Sequence, residues 1–403
     1  MSTTVADGRP EPVFSGYRRT DGRVGIRNHL ALVSTVALAN RTAELAAARF
    51  NDAHAKAPSD AVVLVRGEFQ RGLQQADAAL QDQVLQALIT HPNVGAAVVL
   101  CHDRLAAQAW TARLARHGTP VEVLAVMDSH GMGDAVDRVV AALQRMDRFR
   151  AAVTQTDCPF SALSIALECG GSDASSAVCA NPAIGRFVDR AVAAGATVIV
   201  SETAEFIGGE TVVQTQSMSD EIAQAILARI AATEARMTGD GDHYRGVNPT
   251  AENIEAGLTT LVEKTMGALC KIGNARFAGC LAFGQAARGP GLHFMDTPFF
   301  SPCSMTGMIA GGAQLTLFAM GVFNPSGNPL APTIKVCGNP ATIARWADGI
   351  DVALAELIDA RIGLDEAGAR VHEAVIRVAS GETTRTERWG EGQFIIPRLT
   401  ATF

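Results

Sequence analysis

The sequence predicts an α/β protein in which an open, parallel, Rossmann-like (doubly wound) sheet is followed by a second α/β domain. Apolar segments of strand length alternate with amphipathic segments of helix length along most of the chain. The predicted strands are apolar throughout, which is typical of sheets whose two faces are both covered by helices. The 403 residues are enough for two or three domains.

The first predicted domain, residues 14–150, consists of four βα units. Residues 1–13 are small, polar and proline-containing, so we expect a flexible arm there. The predicted strands of this domain are 29–38, 61–66, 95–101 and 121–127, and its predicted helices are 40–50, 72–90, 104–116 and 133–146. Consecutive βα units of this length favour a parallel sheet.

The second predicted domain, residues 151–403, continues the alternation of strands and helices. Its predicted strands are 196–202, 278–284, 313–320 and 332–338, and its predicted helices are 181–195, 218–237, 252–272, 340–361 and 365–380. Residues 238–251 are rich in Gly, Asp and Pro and predict a loop. Residues 284–304 contain so much Gly and Pro that we expect no regular structure there.

Composition excludes several classes of protein. A hydrophobic content of 48% with 19% charged residues indicates a globular chain and excludes disorder over most of it. The net charge of −7 and the absence of a basic run argue against nucleic-acid binding, and no long apolar run predicts a membrane span. Eight cysteines without a CxxC pair or an export signal indicate free thiols in a cytoplasmic protein. We also expect a homo-oligomer.

Four polar clusters are candidates for a site, because ligands of parallel sheets bind beyond the carboxyl ends of the strands. The first, GYRRTDGRVGIRNHL (16–30), contains four arginines. Arginine forks bind carboxylates through two parallel hydrogen bonds, so Arg18, Arg19, Arg23 and Arg27 are candidate substrate ligands. The alternative is a solvated loop.

The second cluster is ECGGSDASS (168–176). Gly170 and Gly171 would let the backbone approach a ligand, and Cys169, Ser172 and Asp173 add polar groups. The alternative is a plain turn before a helix.

The third cluster, SETAEFIGGE (201–210), follows a predicted strand. Glu202, Glu205 and Glu210 have the carboxylates that hard metals and general bases require, and the alternative is a solvated acidic surface.

The fourth cluster is GPGLHFMDTPFFSPCSMTG (289–307). His293 and Asp296 are candidates for proton transfer, although a histidine in a loop is more often structural. No GxGxxG motif follows the first strand and no Walker A loop is present, so we expect no nucleotide cofactor.

Several long motifs in this order resemble the altronate and galactarate dehydratase family, which includes the beta subunit of sulfolactate sulfo-lyase. The resemblance covers residues from about 14 to 400. The matching segments are GYRRTDGRVGIRN (16–28), CGGSDASSAVCANPAIG (169–185), SETAEFIGGE (201–210), NPTAENIEAGLTTLVEKTMG (248–267), GLHFMDTP (291–298), MTGMIAGGAQLTLFAMG (305–321) and PTIKVCGNP (332–340).

The resemblance implies a lyase that eliminates water from a small hydroxy or sugar acid. The α-proton is removed, a cation or a divalent metal (Fe²⁺, Mn²⁺ or Mg²⁺) stabilises the enediolate, and an acid protonates the departing hydroxide. Lys264, His293 and Asp296 are then the candidate catalytic residues. The candidate metal ligands are Cys169, Asp173, Glu202 and Glu205. The candidate substrate-binding residues are Arg18, Arg19, Arg23, Arg27, Gly170, Gly171, Ser172, Thr259 and Thr260.

The chain also departs from the family pattern. Where the family has a cysteine-containing VNCSAT segment and an HxxGC segment, this chain has VALANRT (36–42) and RGEFQR (66–71). A different metal, a site using Cys101, His102 or Asp103, or no metal at all would account for these changes. The alternative functions are a sulfo-lyase, another β-elimination, and a non-catalytic acid-binding paralogue. Fuller family members carry an N-terminal β-clip domain that is missing here, so a separate small subunit is a candidate partner.

Overall fold

The computed structural model describes residues 13–55, 61–68, 73–238 and 248–400. The predicted arm and most of the predicted loop at 238–251 lie outside these ranges. The chain divides into two compact units. The large unit contains Pro159–Asn328 and Pro332–Gln393, and the small unit contains Ser15–Cys158, Pro329–Ala331 and the segment that begins at Phe394.

The small unit is built around a parallel sheet. Its strands are β1 (Val13–Arg18), β2 (Val24–Gly25), β3 (His29–Ser34), β4 (Val63–Val65), β5 (Val94–Cys101), β6 (Val121–Ala125) and β7 (Thr156–Pro159), and its helices are α1 (Ala37–His54), α2 (Gln75–Ile89), α3 (Arg104–Leu114) and α4 (Met132–Ala151). Among the described residues the parallel sheet has the order β4-β3-β5-β6, and β2-β1-β7 form a separate sheet. Every residue of β5 is buried, as expected for a strand with helices on both faces.

The large unit contains the second α/β arrangement. Its strands are β8 (Ser164–Gly171), β9 (Thr197–Val200), β10 (Phe277–Leu281), β11 (Gly291–Met295), β12 (Leu315–Met320), β13 (Thr333–Cys337) and β14 (Val352–Ala353). Its helices are α5 (Asn181–Ala193), α6 (Glu210–Thr215), α7 (Asp220–Thr238), α8 (Ala251–Glu255), α9 (Leu261–Leu269), α10 (Ser301–Ala310), α11 (Pro340–Arg345), α12 (Ala355–Ile358), α13 (Leu364–Ala379) and α14 (Arg385–Trp389).

The strands of the large unit form one parallel sheet within the described residues, in the order β10-β11-β9-β8-β12-β13-β14. Strands β8 and β9 are neighbours in its middle, so the segments that follow them emerge at the same edge. The predicted α/β class with parallel sheets is therefore confirmed.

Three predictions of local structure in the large unit are wrong. The segment expected to be irregular forms the buried strand β11 and the helix α10, because neighbouring strands supply the backbone partners that its Gly and Pro content alone does not indicate. The single helix predicted at 252–272 is interrupted, because Gly257 has a φ of 100° and Thr260 starts a new helix. The helix predicted at 340–361 ends at Arg345, and the chain then enters the short strand β14.

No helix among the described residues combines the length and the low polarity needed to cross a membrane.

Candidate active site

The carboxyl ends of β8 and β9 position the central residues of the site. Cys169 lies near the end of β8, and Glu202 and Glu205 follow β9 within five residues. One ligand atom from each of these three buried side chains lies within 4.8 Å of the others. The Gly-rich segment and the acidic segment that the sequence singled out therefore meet in one place.

A cleft of about 460 Å³ opens beside this cluster. The predicted site residues that line it are Cys169, Gly170, Gly171, Ser172, Glu202, Glu205 and Lys264. Phe300, Ser301 and Phe323 contribute further wall. This volume suits a small organic acid.

Gly170 and Gly171 are required by close packing. A Cβ on Gly170 would lie 2.2 Å from the Phe318 ring, and a Cβ on Gly171 would lie 2.4 Å from the Val322 carbonyl oxygen. Larger residues would displace one wall of the cleft.

Glu202 is the most unusual residue of the cleft. Its φ is 65°, a left-handed conformation that costs a non-glycine residue free energy and recurs at functional sites. Its backbone N–H donates to Thr297 Oγ1 at 2.9 Å, which holds the turn. Burial, and then repulsion by the Glu168 and Glu205 carboxylates, raise the pKa of Glu202 well above its usual value. Among the described residues the buried Oε2 of Glu202 has no hydrogen-bond partner, while the residue lines the cleft.

Glu205 has the opposite protonation state. Its Oε2 accepts from Lys271 Nζ at 2.7 Å, and its Oε1 lies 3.5 Å from Lys264 Nζ. Burial alone would raise the pKa of Glu205, but the two ammonium groups outweigh burial and lower it to about 2. Lys264 also lies over the Phe299 ring, 5.3 Å from its centroid. The ammonium groups of Lys264 and Lys271 therefore both face the carboxylate of Glu205.

Cys169 completes the cluster as a thiol. Its Sγ donates to Asn181 Oδ1 at 3.8 Å and accepts from Lys271 Nζ at 3.0 Å. Burial raises the pKa of this thiol, and the charge of Glu205 adds to the effect. A thiol must lose its proton before it ligates a metal. The spacing of the cluster is compatible with a divalent metal, whereas the contacts with Lys271 compete with one.

Two central residues were missed by the sequence analysis, Lys271 and Glu168. Both are buried, and Glu168 accepts from Ser304 Oγ at 2.7 Å and from Ser201 Oγ at 3.3 Å. Burial raises the pKa of Glu168 to about 8. Each is a lone charge inside an apolar segment, IALEC and LCKIG. Because charged side chains are rarely buried without partners, such isolated charges are the signal that could have identified them.

Other predicted residues of the large unit have structural contacts away from the lining of the cleft. Asp173 accepts from Ser175 Oγ, the Ser176 N–H and Asn339 Nδ2 at 2.7–2.8 Å. Thr259 donates to the Glu263 carboxylate, and Thr260 caps the start of α9. Their roles in metal or substrate binding stay predictions.

His293 and Asp296 also lie outside the lining of the cleft. His293 lies within β11 with Nε2 at 3.1 Å from the Gly289 carbonyl oxygen, and burial lowers its pKa. Asp296 accepts from Thr203 Oγ1 at 2.7 Å and faces Arg229 at 3.6 Å. Their acid–base role stays a prediction.

The four candidate arginines lie in the small unit and donate hydrogen bonds to other residues of that unit. Arg19 donates to the carbonyl oxygens of Pro92 and Arg27, and burial lowers its pKa to about 10. Arg18 donates to the Asp157 carbonyl oxygen, and Arg23 donates to the Thr90 carbonyl oxygen and the Asp21 carboxylate. Arg27 is buried and donates to the Ile26 carbonyl oxygen. These contacts hold the loop, and substrate binding by the arginines stays a prediction.

The segments in which this chain departs from the family pattern also make local contacts. Arg66 pairs with Glu44 at 2.9 Å, and residues 69–72, which include Gln70, lie outside the described ranges. Asp103 caps α3, and burial raises the pKa of Cys101 to about 11. Of the residues that the structure describes, only Cys169, Glu202 and Glu205 form a group with metal-ligand spacing.

Comparison with known protein families gives two matches that together span most of the chain. The model described as D-galactarate/altronate dehydratase, C-terminal, matches residues 160–402. The model described as D-galactarate dehydratase/altronate hydrolase, second domain, matches residues 16–149.

Individual relatives carry related names. The (2R)-sulfolactate sulfo-lyase subunit beta of Chromohalobacter salexigens is 32% identical over 395 residues, which cover 96% of this chain and 97% of that protein. The altronate dehydratase of Bacillus subtilis is 28% identical, with 93% of this chain and 75% of that protein covered. The galactarate dehydratase (L-threo-forming) of Escherichia coli is 27% identical, with 94% and 77% covered. All three names denote carbon–oxygen or carbon–sulfur lyases.

Proposed function

This chain belongs to the D-galactarate/altronate dehydratase family, and we propose that it is a hydro-lyase that eliminates water from a small hydroxy acid or sugar acid. The observation that carries the proposal is the cleft itself. Its wall contains the Lys264 ammonium group, paired with Glu205, and the carboxyl of Glu202, whose raised pKa favours the protonated form.

The reaction first needs a base for the α-proton and a cation for the charge that is left. Glu205, the ionised carboxylate of the cleft wall, is the proton acceptor in this proposal, and the enediolate that forms has two negative charges that need a neighbouring cation. Lys264 lines the cleft and is fixed by Glu205 and Phe299, so its ammonium group is in position to bind the substrate carboxylate and to stabilise the enediolate. When Lys264 moves from Glu205 to the substrate carboxylate, Lys271 keeps Glu205 ionised.

Glu202 answers the second requirement, a proton for the departing hydroxide. A general acid must still hold its proton at the working pH, and burial of Glu202 beside Glu168 and Glu205 ensures this. Its unpartnered Oε2 belongs to a residue that lines the cleft, where the leaving group of a bound substrate would lie.

The residues with metal-ligand spacing in this site are Cys169, Glu202 and Glu205. If Fe²⁺, Mn²⁺ or Mg²⁺ bound to them, it would supply Lewis-acid stabilisation of the enediolate, but it would have to displace the Lys271 ammonium group from Cys169 and Glu205.

A sulfo-lyase is the second candidate function, and sequence identity favours it. The sulfolactate sulfo-lyase beta subunit of Chromohalobacter salexigens is 32% identical to this chain, compared with 28% for the altronate dehydratase of Bacillus subtilis. Sulfite leaves as a stable anion, so this reaction depends less on the proton of Glu202. A separate small subunit is part of this second proposal.

A substrate panel tests both candidates. The purified protein is incubated with aldonates, aldarates and sulfolactate, with and without added ferrous iron, and keto acid and sulfite are measured separately. Keto acid without sulfite from a sugar acid supports the hydro-lyase. Equal amounts of keto acid and sulfite from sulfolactate support the second candidate instead.

The control is the Lys264→Ala variant, which removes the ammonium group from the cleft. It should lose turnover of whichever substrate reacts. Failure of the folded wild-type protein to form keto acid from any aldonate or aldarate would contradict the hydro-lyase proposal. Failure to release sulfite from sulfolactate when the small subunit of a sulfo-lyase is also supplied would contradict the second proposal.

A further inference from the structure

Neither the proposed reaction nor the family match explains why Lys271 is buried where it is. It lies on the short helical turn Cys270–Ile272 that follows α9, and its side chain is 2% exposed. Its Nζ lies 3.0 Å from Cys169 Sγ and 2.7 Å from Glu205 Oε2. These atoms belong to two of the three residues that make up the group with metal-ligand spacing.

The Lys271 ammonium group contacts atoms that a metal ion would need as ligands. Bonds from a divalent metal to sulfur and to oxygen are about 2.3 and 2.1 Å long. An ion bonded to both Cys169 Sγ and Glu205 Oε2 would therefore compete with Lys271 Nζ for the same two acceptor atoms, and the ammonium charge would repel it.

The second lysine strengthens the competition. Lys264 Nζ lies 3.5 Å from the other oxygen of Glu205, so ammonium groups contact both oxygens of this carboxylate. A divalent ion would have to displace Lys271 and share Glu205 with Lys264. The buried ammonium group would then lose its partners at a large cost in free energy.

We propose that Lys271 is an internal cation that occupies the metal position of the Cys169–Glu202–Glu205 cluster, so that this cluster binds divalent metal weakly while Lys271 is present. This proposal concerns what the cluster binds and does not depend on the substrate or on the reaction.

Cobalt titration tests the proposal without an activity assay. Co²⁺ bound to a cysteine thiolate has a strong near-ultraviolet charge-transfer absorption, which reports ligation by Cys169. The wild-type protein should lack a stoichiometric band. Lys271→Met has nearly the same side-chain length without the charge, and it should gain the band with affinity higher by about tenfold or more, since one repelling charge is removed.

Matched variants assign the band. Lys264→Met leaves Lys271 in place between Cys169 and Glu205, so it should remain without the band. Adding Cys169→Ser to Lys271→Met should abolish it. Lys271→Gln, a neutral polar replacement, provides a second folded variant if Lys271→Met fails to fold, as judged by circular dichroism.

Two results would overturn the proposal. One is a stoichiometric band in the wild-type protein that disappears with Cys169→Ser. The other is a folded Lys271→Gln or Lys271→Met variant that binds Co²⁺ no better than the wild type.

Discussion

Two glutamates of the cleft, Glu202 and Glu205, differ in protonation state. Glu202 is forced into a left-handed conformation, yet its carboxyl is buried and one oxygen has no partner among the described residues. Glu205, three positions later, is ionised because two lysines face it. Neighbouring groups of the same chemical type therefore have opposite protonation states, a pattern typical of sites that carry out acid–base chemistry.

Replacing Glu202 with glutamine tests its role as the proton donor. The side chain keeps its shape, but its amide cannot act as a general acid. We expect kcat for loss of water to fall by about 100-fold or more, with KM little changed. Steady-state kinetics and a thermal unfolding curve are the measurements. Full turnover by the folded variant would remove Glu202 from the mechanism.

Replacing Lys264 separates binding of the anion from proton abstraction. Alanine removes the cation, whereas arginine keeps the positive charge and cannot lose its proton in a protein. We expect Lys264→Ala to lose turnover by about 100-fold or more and Lys264→Arg to retain a measurable part of it. Equal loss in both variants, compared in the same keto-acid assay, would mean that Lys264 acts as a base.

At the scale of elements, helix α9 carries Lys264 in its first turn. Thr260 starts this helix, since its side chain accepts from the Glu263 N–H at 3.1 Å. Lys264 is therefore positioned by the capping of the helix as well as by its ion pair.

Thr260→Ala tests this capping. Loss of an N-cap hydroxyl should lower the free energy of unfolding by about 1 kcal/mol, and it should lower turnover because the first turn loosens around Lys264. Thr260→Ser keeps the hydroxyl and serves as the control in urea unfolding. Equal stability of the alanine variant and the wild type would leave substrate binding as the role of Thr260.

Across the whole molecule, local patterns predicted the class of fold better than the details. The parallel sheet of the small unit followed the predicted βα alternation because its strands are uninterrupted apolar segments, whereas β1, β2 and β7 of that unit were not predicted. Strand β8 was missed because it contains the charge of Glu168 and ends in two glycines, and β11 was missed because it lies in a Gly/Pro-rich segment.

The residues of the candidate site were likewise predicted only in part. Cys169, Glu202, Glu205 and Lys264 were identified from short motifs, and the fold brings them together. Lys271 was not identified, because its contact with Cys169 joins residues 102 positions apart. That contact depends on the packing of the turn Cys270–Ile272 against α5 and of α9 against the helical turn Thr203–Phe206.

The stability of the molecule should depend on pH through Asp351. Burial raises the pKa of this carboxyl to about 6, although the backbone N–H groups of Lys335 and Arg385 donate to it. Because the folded protein holds this proton more tightly than the unfolded chain, Asp351 stabilises the fold below about pH 4, and this contribution is lost as the pH rises through 6.

The shift from 3.8 to about 6 corresponds to about 3 kcal/mol. Urea unfolding of the wild type and Asp351→Asn between pH 4 and 7 measures this contribution. The stability of the wild type relative to the variant should fall over this range, and a constant difference would contradict the assignment.

The fate of one hydrogen atom tests the central claim most directly. The substrate found with the panel is labelled with deuterium on the carbon beside the carboxylate, and the keto acid formed in ordinary water is analysed by mass spectrometry. Removal of that atom as a proton, which the cleft around Lys264 would support, predicts a product without deuterium. A product that retains all of the deuterium on the adjacent carbon would contradict loss of that atom to water through the cleft.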